Sequence, residues 1–123
     1  MFTIQKTDKR VIFNIVKFKN SNIEGTVVKS DDRYIVKDNT LLKNLVVSST
    51  RLNPNKSTSG HKHAGQEEVY MFLEGTGTME LDSVTHNVEA GDTVLIEDGV
   101  FHRVHAGNEE LYFVCVFDGG RTV

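Results

Sequence analysis

Apolar and polar residues along this chain mostly follow the two-residue alternation of β-strands. Short runs rich in Val, Ile, Thr and Phe are interrupted by Asn, Asp and Gly about every eight to twelve positions, which is typical of an all-β protein. A helical period is hard to find, so we predict strands and no substantial helix. The predicted strands are Val11–Phe18, Gly25–Val28, Arg33–Val36, Val46–Leu52, Gly60–His63, Glu68–Glu74, Thr76–Asp82, Val84–Val88, Thr93–Ile96, His102–Ala106 and Leu111–Phe117.

Two of these strands carry apolar side chains on both faces. Glu68–Glu74 has large apolar residues at both odd and even positions, and Leu111–Phe117 is apolar throughout. Antiparallel sheets commonly leave one face in water, so continuous apolarity indicates that both faces are covered. The cover is either the N-terminal part of the chain or a second subunit, and this pattern favours a homodimer.

Length, charge and cysteine content narrow the class of protein. A chain of 123 residues fits one domain, and a net charge of −3 without a dense Lys/Arg block argues against nucleic acid as a partner. The longest apolar run, Leu111–Phe117, is too short to cross a bilayer, so no membrane partner is expected. Charged residues near the N-terminus argue against a secretory signal. With Cys115 as the single cysteine, no intrachain disulfide forms, and we expect a cytoplasmic protein.

One cluster of residues has the spacing of metal ligands. His61 and His63 lie two positions apart in a predicted strand, so both imidazoles face the same side. A short loop leads from them to Glu68 at the start of the next strand, and His102 opens a more distant strand. Three neutral nitrogens and one carboxylate oxygen suit one divalent ion of Fe, Mn, Ni, Co, Cu or Zn. Up to two octahedral positions then remain for a ligand or water.

Neighbouring titratable residues are expected to lie outside this cluster. Glu67 is the rival carboxylate, but strand parity places it on the face opposite to Glu68. His86 lies in an outer hairpin strand, and His105 has odd parity relative to His102, so both are expected to point away.

Tyr70 and Cys115 each have more than one possible role. Tyr70 shares the inward face of Glu68, and its side chain belongs either to the core or to a pocket wall. It is the best candidate for a catalytic proton donor or acceptor. Cys115 is predicted to be a core residue rather than a ligand.

The spacing of the histidine-containing segments resembles the two motifs of the cupin superfamily. The matching positions are His61-Lys62-His63, Glu68 and Gly75 in the first motif, and Gly91, Gly99 and His102 in the second. The resemblance implies a double-stranded β-helix, or jelly-roll barrel, with extra N-terminal strands. It also implies that the two His and the Glu of the first motif bind a metal together with the His of the second.

This chain departs from the usual cupin motifs at three positions. Asn55 stands where the first motif begins with Gly, and Asn also tolerates left-handed backbone. In the second motif, Glu97 replaces Pro and Ala106 replaces Asn. None of the three is a metal ligand in the family. We expect residues 1–44 to form an N-terminal strand extension of the same domain, residues 45–118 the barrel and residues 119–123 a tail.

The resemblance implies two classes of function. The leading interpretation is a metal-dependent enzyme acting on a small polar, oxygen-rich substrate, of the dioxygenase, isomerase, decarboxylase or lyase type. A divalent metal with one carboxylate ligand carries a charge of about +1, which favours an anionic or enolate-like group. The alternative is a non-catalytic module that binds a sugar or small metabolite. Fold alone does not separate them, because the same fold supports both.

Overall fold

The computed structural model describes residues 17–119, and within that range the chain forms nine β-strands and no helix. The strands are β1 Thr26–Ser30, β2 Tyr34–Asn39, β3 Leu45–Leu52, β4 Glu68–Glu74, β5 Thr76–Leu81, β6 Val84–Glu89, β7 Thr93–Ile96, β8 His102–Ala106 and β9 Leu111–Asp118. Across this range there is accordingly no apolar helix of membrane-spanning length. The predicted strand Val11–Phe18 lies almost entirely outside the described residues.

The nine strands form two antiparallel sheets. The larger sheet has the order β1-β2-β3-β9-β4-β7, and the smaller has the order β6-β5-β8. The last of the described strands, β9, lies between β3 and β4, so the larger sheet depends on pairing between distant parts of the chain. The expected all-β, jelly-roll fold is confirmed.

The main core lies between the two sheets and receives side chains from both. Phe72 of β4 and Phe113 of β9 face inward from the larger sheet, with ring centroids 5.3 Å apart. Met79 of β5 and Val104 of β8 complete the same cluster from the smaller sheet. All four are essentially inaccessible to water. This is the interdigitation of inner faces that stabilises two packed sheets.

A second, smaller cluster covers part of the outer face of the larger sheet. Tyr112 and Val114 of β9 point away from the main core and pack with Ile23, which precedes β1. Phe18 packs against the same cluster. The N-terminal part of the chain therefore supplies the cover over this part of the doubly apolar strand.

The predicted strand Gly60–His63 is wrong. Residues 60–63 form only one isolated bridge, between His61 and His102. The reason is Gly60, whose φ of 81° is left-handed and interrupts the extended backbone. A Cβ at Gly60 would also approach the ring of Phe101 to 2.7 Å. The segment therefore runs beside β8 as irregular chain.

Asn55 supplies the left-handed position that the first motif usually gives to Gly. Its φ is 62°, a conformation that Asn adopts more readily than most other residues. The backbone N–H of Asn55 donates to the carbonyl of Gly107 at 2.8 Å, so the turn joins the ends of the two motif regions. The departure at this position leaves the backbone geometry intact.

Candidate metal centre

Four side chains converge at one end of the barrel: His61, His63, Glu68 and His102. Each offers one ligand atom, and these atoms all lie within 4.8 Å of one another. Two ligands on opposite sides of a metal, at bond lengths of about 2.0–2.2 Å, lie at most about 4.4 Å apart. Small side-chain movements would therefore close the set around one ion. The residues selected from the sequence spacing are brought together by the fold.

Backbone hydrogen bonds place His61 and His63 although they do not belong to a strand. The N–H of His61 donates to the carbonyl of His102 at 3.1 Å, and the N–H of His102 donates back at 2.9 Å. The N–H of Gly99 donates to the carbonyl of His63 at 2.9 Å. The ring centroids of His61 and His63 are 4.4 Å apart. The first-motif loop is thus fixed against the second motif, and both imidazoles face the same side.

Glu68 enters the site from the larger sheet. It opens β4, where it pairs with Ile96 of β7 and Phe117 of β9. Its side chain is buried and shares the inward face with Tyr70. Burying a carboxylate is costly unless a cation or hydrogen-bond donors compensate its charge.

The orientation of His102 is set by the backbone beside it. Its Nδ1 lies 3.0 Å from the carbonyl oxygen of Val100, and a carbonyl only accepts, so Nδ1 carries the proton and donates. In the neutral ring, Nε2 then presents its lone pair to the cluster. Metal-binding histidines commonly show this arrangement, with the second nitrogen donating to a backbone carbonyl.

Two buried acceptor atoms face each other at the centre of the site. His102 Nε2 lies 3.1 Å from Glu68 Oε1. Neither atom has a hydrogen-bond partner among the described residues. His63 Nε2 lies 3.7 Å from the same carboxylate oxygen. An unsatisfied buried polar atom is unfavourable, and a cation between these atoms would satisfy both. The donor set therefore fits a divalent metal.

The electrostatics of the cluster keep His61 in the form that binds metal. The pKa of His61 is lowered from 6.5 to about 4, mainly by burial and also by the neighbouring His102 and His63, against the opposing effect of Glu68. His61 is therefore an uncharged imidazole at neutral pH. A metal must displace a proton from a protonated histidine, so a neutral one binds metal without that cost.

A cavity of about 60 Å³ opens beside the four residues. Its walls include Tyr70 and Cys115. Tyr70 lies on the inward face of β4, and Cys115 is buried. Other wall residues, which the sequence pattern did not single out, come from β1, β2 and β3, namely Lys29, Tyr34, Ser48 and Thr50. Alternation along β3 was a usable signal for Ser48 and Thr50, because they share the inward face of that strand.

The neighbouring titratable residues lie outside the cluster. The ring of His105 contacts the hydroxyl of Ser57 through Nδ1 at 2.6 Å, and its Nε2 contacts the carboxylate of Glu80. His86 and Glu67 are exposed. Strand parity predicted the directions of Glu67 and His105, and the position of His86 in an outer hairpin strand predicted its exposure.

The fold and the convergent side chains define a small jelly-roll barrel with a histidine-rich centre at one end. The family profile described as "Cupin domain" matches residues 48–117, which is more than half of the chain. The chain belongs to the cupin family.

Similar proteins are found among curated sequences and solved structures. The chain is 31% identical over 94 residues to an uncharacterised protein of Methanocaldococcus jannaschii, covering 67% of this chain and 75% of that protein. It is 33% identical over 67 residues to an oxalate-binding protein of Thermotoga maritima, covering 54% of this chain and 55% of that protein. The solved structure of KdgF from Halomonas sp. superposes with a TM-score of 0.70, covering 81% of this chain and 97% of that one. At 12% identity this last likeness concerns the fold alone.

We expect the metal-free protein to lose stability as the pH falls from 6.5 towards about 4, because the pKa of His61 is lowered across that interval. Within it the unfolded chain binds a proton at His61 and the folded chain does not, so falling pH favours unfolding. Urea unfolding at a series of pH values measures the effect. His61→Gln should show a shallower pH dependence, whereas the exposed-site control His86→Gln should leave the contribution of His61 in place. An NMR titration of His61 with a midpoint near 6.5 would contradict this expectation.

Proposed function

We propose that this protein is a metal-dependent cupin enzyme that acts on a small, oxygen-rich anionic substrate. The observation that carries the proposal is the buried pair of acceptors, Glu68 Oε1 and His102 Nε2, at 3.1 Å without hydrogen-bond partners among the described residues. His61, His63, Glu68 and His102 would hold one divalent ion of Fe, Mn, Ni, Co, Cu or Zn. Bound there, the ion supplies Lewis-acid chemistry and a template for a ligand with two oxygen donors.

The pocket residues would orient the substrate and move a proton. Tyr70 lies in a buried wall, stacked on Phe113 with ring centroids 5.3 Å apart, and its ring meets His102 edge-on at 5.7 Å. This stacking fixes the direction of the phenol beside the four-residue cluster. We therefore propose Tyr70 as the catalytic residue that donates or accepts a proton on the bound substrate.

The second candidate function is a non-catalytic binding module for a sugar or small metabolite. It is favoured by the 33% identity to a relative named an oxalate-binding protein. It is also consistent with the hydroxyl groups in the cavity walls, such as those of Ser48, Thr50 and Thr58. Both candidates use the same metal site, and they differ in whether a bound ligand reacts.

We further propose that two copies of the chain associate through the outer face of the larger sheet. An apolar row crosses four strands of this face, because Val47 pairs with Val116, Val116 with Val69, and Val69 with Leu95. Leu95 is 72% exposed. Apolar rows of this kind are characteristic of association surfaces. Residues 1–44 would belong to the same domain, and the N-terminal segment Phe2–Phe18 would help to cover this face. Residues 2–16 of that segment lie outside the described range.

The four-ligand site predicts the metal content of single variants. Protein purified without exposure to affinity-resin metal should contain close to one ion per chain. His61→Ala, His63→Ala, Glu68→Ala and His102→Ala should each reduce that content to about a tenth or less, because each removes a ligand. Plasma mass spectrometry gives the measurement, with His105→Ala and His86→Ala as matched controls that keep their metal. Full occupancy in His102→Ala would contradict a four-ligand site.

Oxalate binding and turnover separate the enzyme from the binding module. Protein loaded with Fe or Mn should bind oxalate, and His63→Ala should not. In a screen of small hydroxy acids, keto acids and sugar acids, Tyr70→Phe should retain metal and oxalate binding but lose roughly a hundredfold in turnover, as expected for a proton-transfer residue. Oxalate binding without turnover of any acid, with every metal, would overturn the enzyme and support the binding module.

The apolar row predicts a dimer at micromolar concentration. Light scattering should give twice the chain mass. Leu95→Asp should give a folded monomer, because it places a charge in the apolar row that the dimer would bury. Val84→Asp is the control, since Val84 is also exposed but lies on the smaller sheet. A monomer mass for the unaltered protein would remove the dimer proposal.

A further inference from the structure

Lys29 is a cationic residue of the cavity wall that lies outside the part of the chain matched to the cupin profile. It belongs to β1, the edge strand of the larger sheet, and lines the same cavity as His61 and His63. Every other residue of β1 is exposed, and Lys29 alone is half-buried. The inward placement of this one side chain therefore needs a local cause.

The cause is a β-bulge in β1. Val27 pairs with Lys37 on β2, but Lys29 pairs with Val36, so Val28 is an extra residue in the ladder. Val36 is buried and lines the cavity. Without the bulge, Lys29 would pair with Ile35, which is 49% exposed on the opposite face. Bulges redirect side chains in this way and are common next to active sites.

The hairpin that carries Lys29 is fixed to the metal-site loop. Arg33, in the β1–β2 connection, donates through Nη1 to the hydroxyl of Ser59 at 2.7 Å. Its Nη2 donates to the hydroxyl of Tyr34 at 3.1 Å. Ser59 and Tyr34 both line the cavity, and Ser59 is two residues before His61. The hydrogen bond between Arg33 and Ser59 therefore joins the β1–β2 connection to the loop that leads to His61.

The cavity thus has two centres of positive charge on different elements. One is the cluster of His61, His63, Glu68 and His102, which carries a charge of about +1 with a divalent metal bound. The other is the ammonium of Lys29, four strands away from Glu68 across the larger sheet. Lys29 and the four residues of the cluster line the same cavity.

We propose that Lys29 binds a second anionic group of the ligand, and that the substrate class is small acids with a metal-chelating end and a further carboxylate. One end of such an acid would lie at the four-residue cluster, and the second carboxylate would pair with the Lys29 ammonium. Ser48 and Thr50, on the wall between them, supply hydroxyls to the middle of the molecule. This inference rests on the proposed metal-dependent function.

The test compares two acids that share a chelating end. L-Lactate and L-malate each offer a hydroxyl and a carboxylate to a metal, and malate has one carboxylate more. In calorimetric titrations of the metal-loaded protein, malate should bind about tenfold more tightly than lactate, since a half-buried ion pair is stronger than an exposed one. Lys29→Met and Lys29→Gln should remove that preference without changing metal content, and Lys29→Arg should retain it. Rising salt should reduce the preference in the unaltered protein.

Lys37→Met is the matched control. Lys37 is on β2 and pairs with Val27, but it faces the opposite side of the sheet and donates to the side chain of Asn22. It should keep the full preference for malate. The role of Lys29 is overturned if the unaltered protein binds the two acids equally, or if the preference for malate survives Lys29→Met. In either case, oxalate binding would still support the metal site. Failure of oxalate, lactate and malate alike to bind the metal-loaded protein overturns the proposed function, and the role of Lys29 with it.

Discussion

Glu68 and His102 bring two hydrogen-bond acceptors together in the interior of the barrel. The Nδ1–H of His102 donates a hydrogen bond to the backbone carbonyl of Val100, so the lone pair on Nε2 faces the carboxylate. Both side chains are almost inaccessible to water, so water cannot relieve the contact. A positively charged group between the two atoms would compensate the cost of burying both. The packing that buries Glu68 and His102 therefore also favours the binding of a metal ion between them.

The two halves of the site are held by different sheets, and their alignment depends on closure of the barrel. Glu68 lies on β4, paired in the larger sheet with the last strand of the chain. His102 begins β8 in the smaller sheet, and its backbone binds that of His61 in both directions. An error in either sheet would separate the acceptors. The geometry of the site therefore depends on the correct formation of both sheets.

Much of this arrangement could be predicted from the sequence. Two-residue alternation identified the strands that carry Glu68 and Tyr70, and motif spacing selected the four residues that converge. Local backbone geometry could not be predicted. The left-handed conformation of Gly60 makes the segment with His61 and His63 irregular, yet hydrogen bonds to the second motif still align the rings.

Lys29 shows a second limit of prediction from the sequence, because the predicted strand ended at Val28 whereas β1 extends to Ser30. Strand parity assumes an uninterrupted ladder, and one extra residue at Val28 reverses the facing of every position beyond it. The sequence around Lys29 carries no Gly or other signal of that bulge. Only the register between β1 and β2 reveals that an edge-strand lysine lies in the cavity.

Anomalous diffraction from crystals grown with Mn²⁺ or Zn²⁺ tests the central claim most directly, because it locates the metal without reference to activity. We predict one strong peak between Glu68 and His102, about 2.0–2.3 Å from Glu68 Oε1 and His102 Nε2, with His61 and His63 completing the set. A saturating metal that leaves this position without a peak, or that binds instead beside His105 and Glu80, would contradict the metal centre.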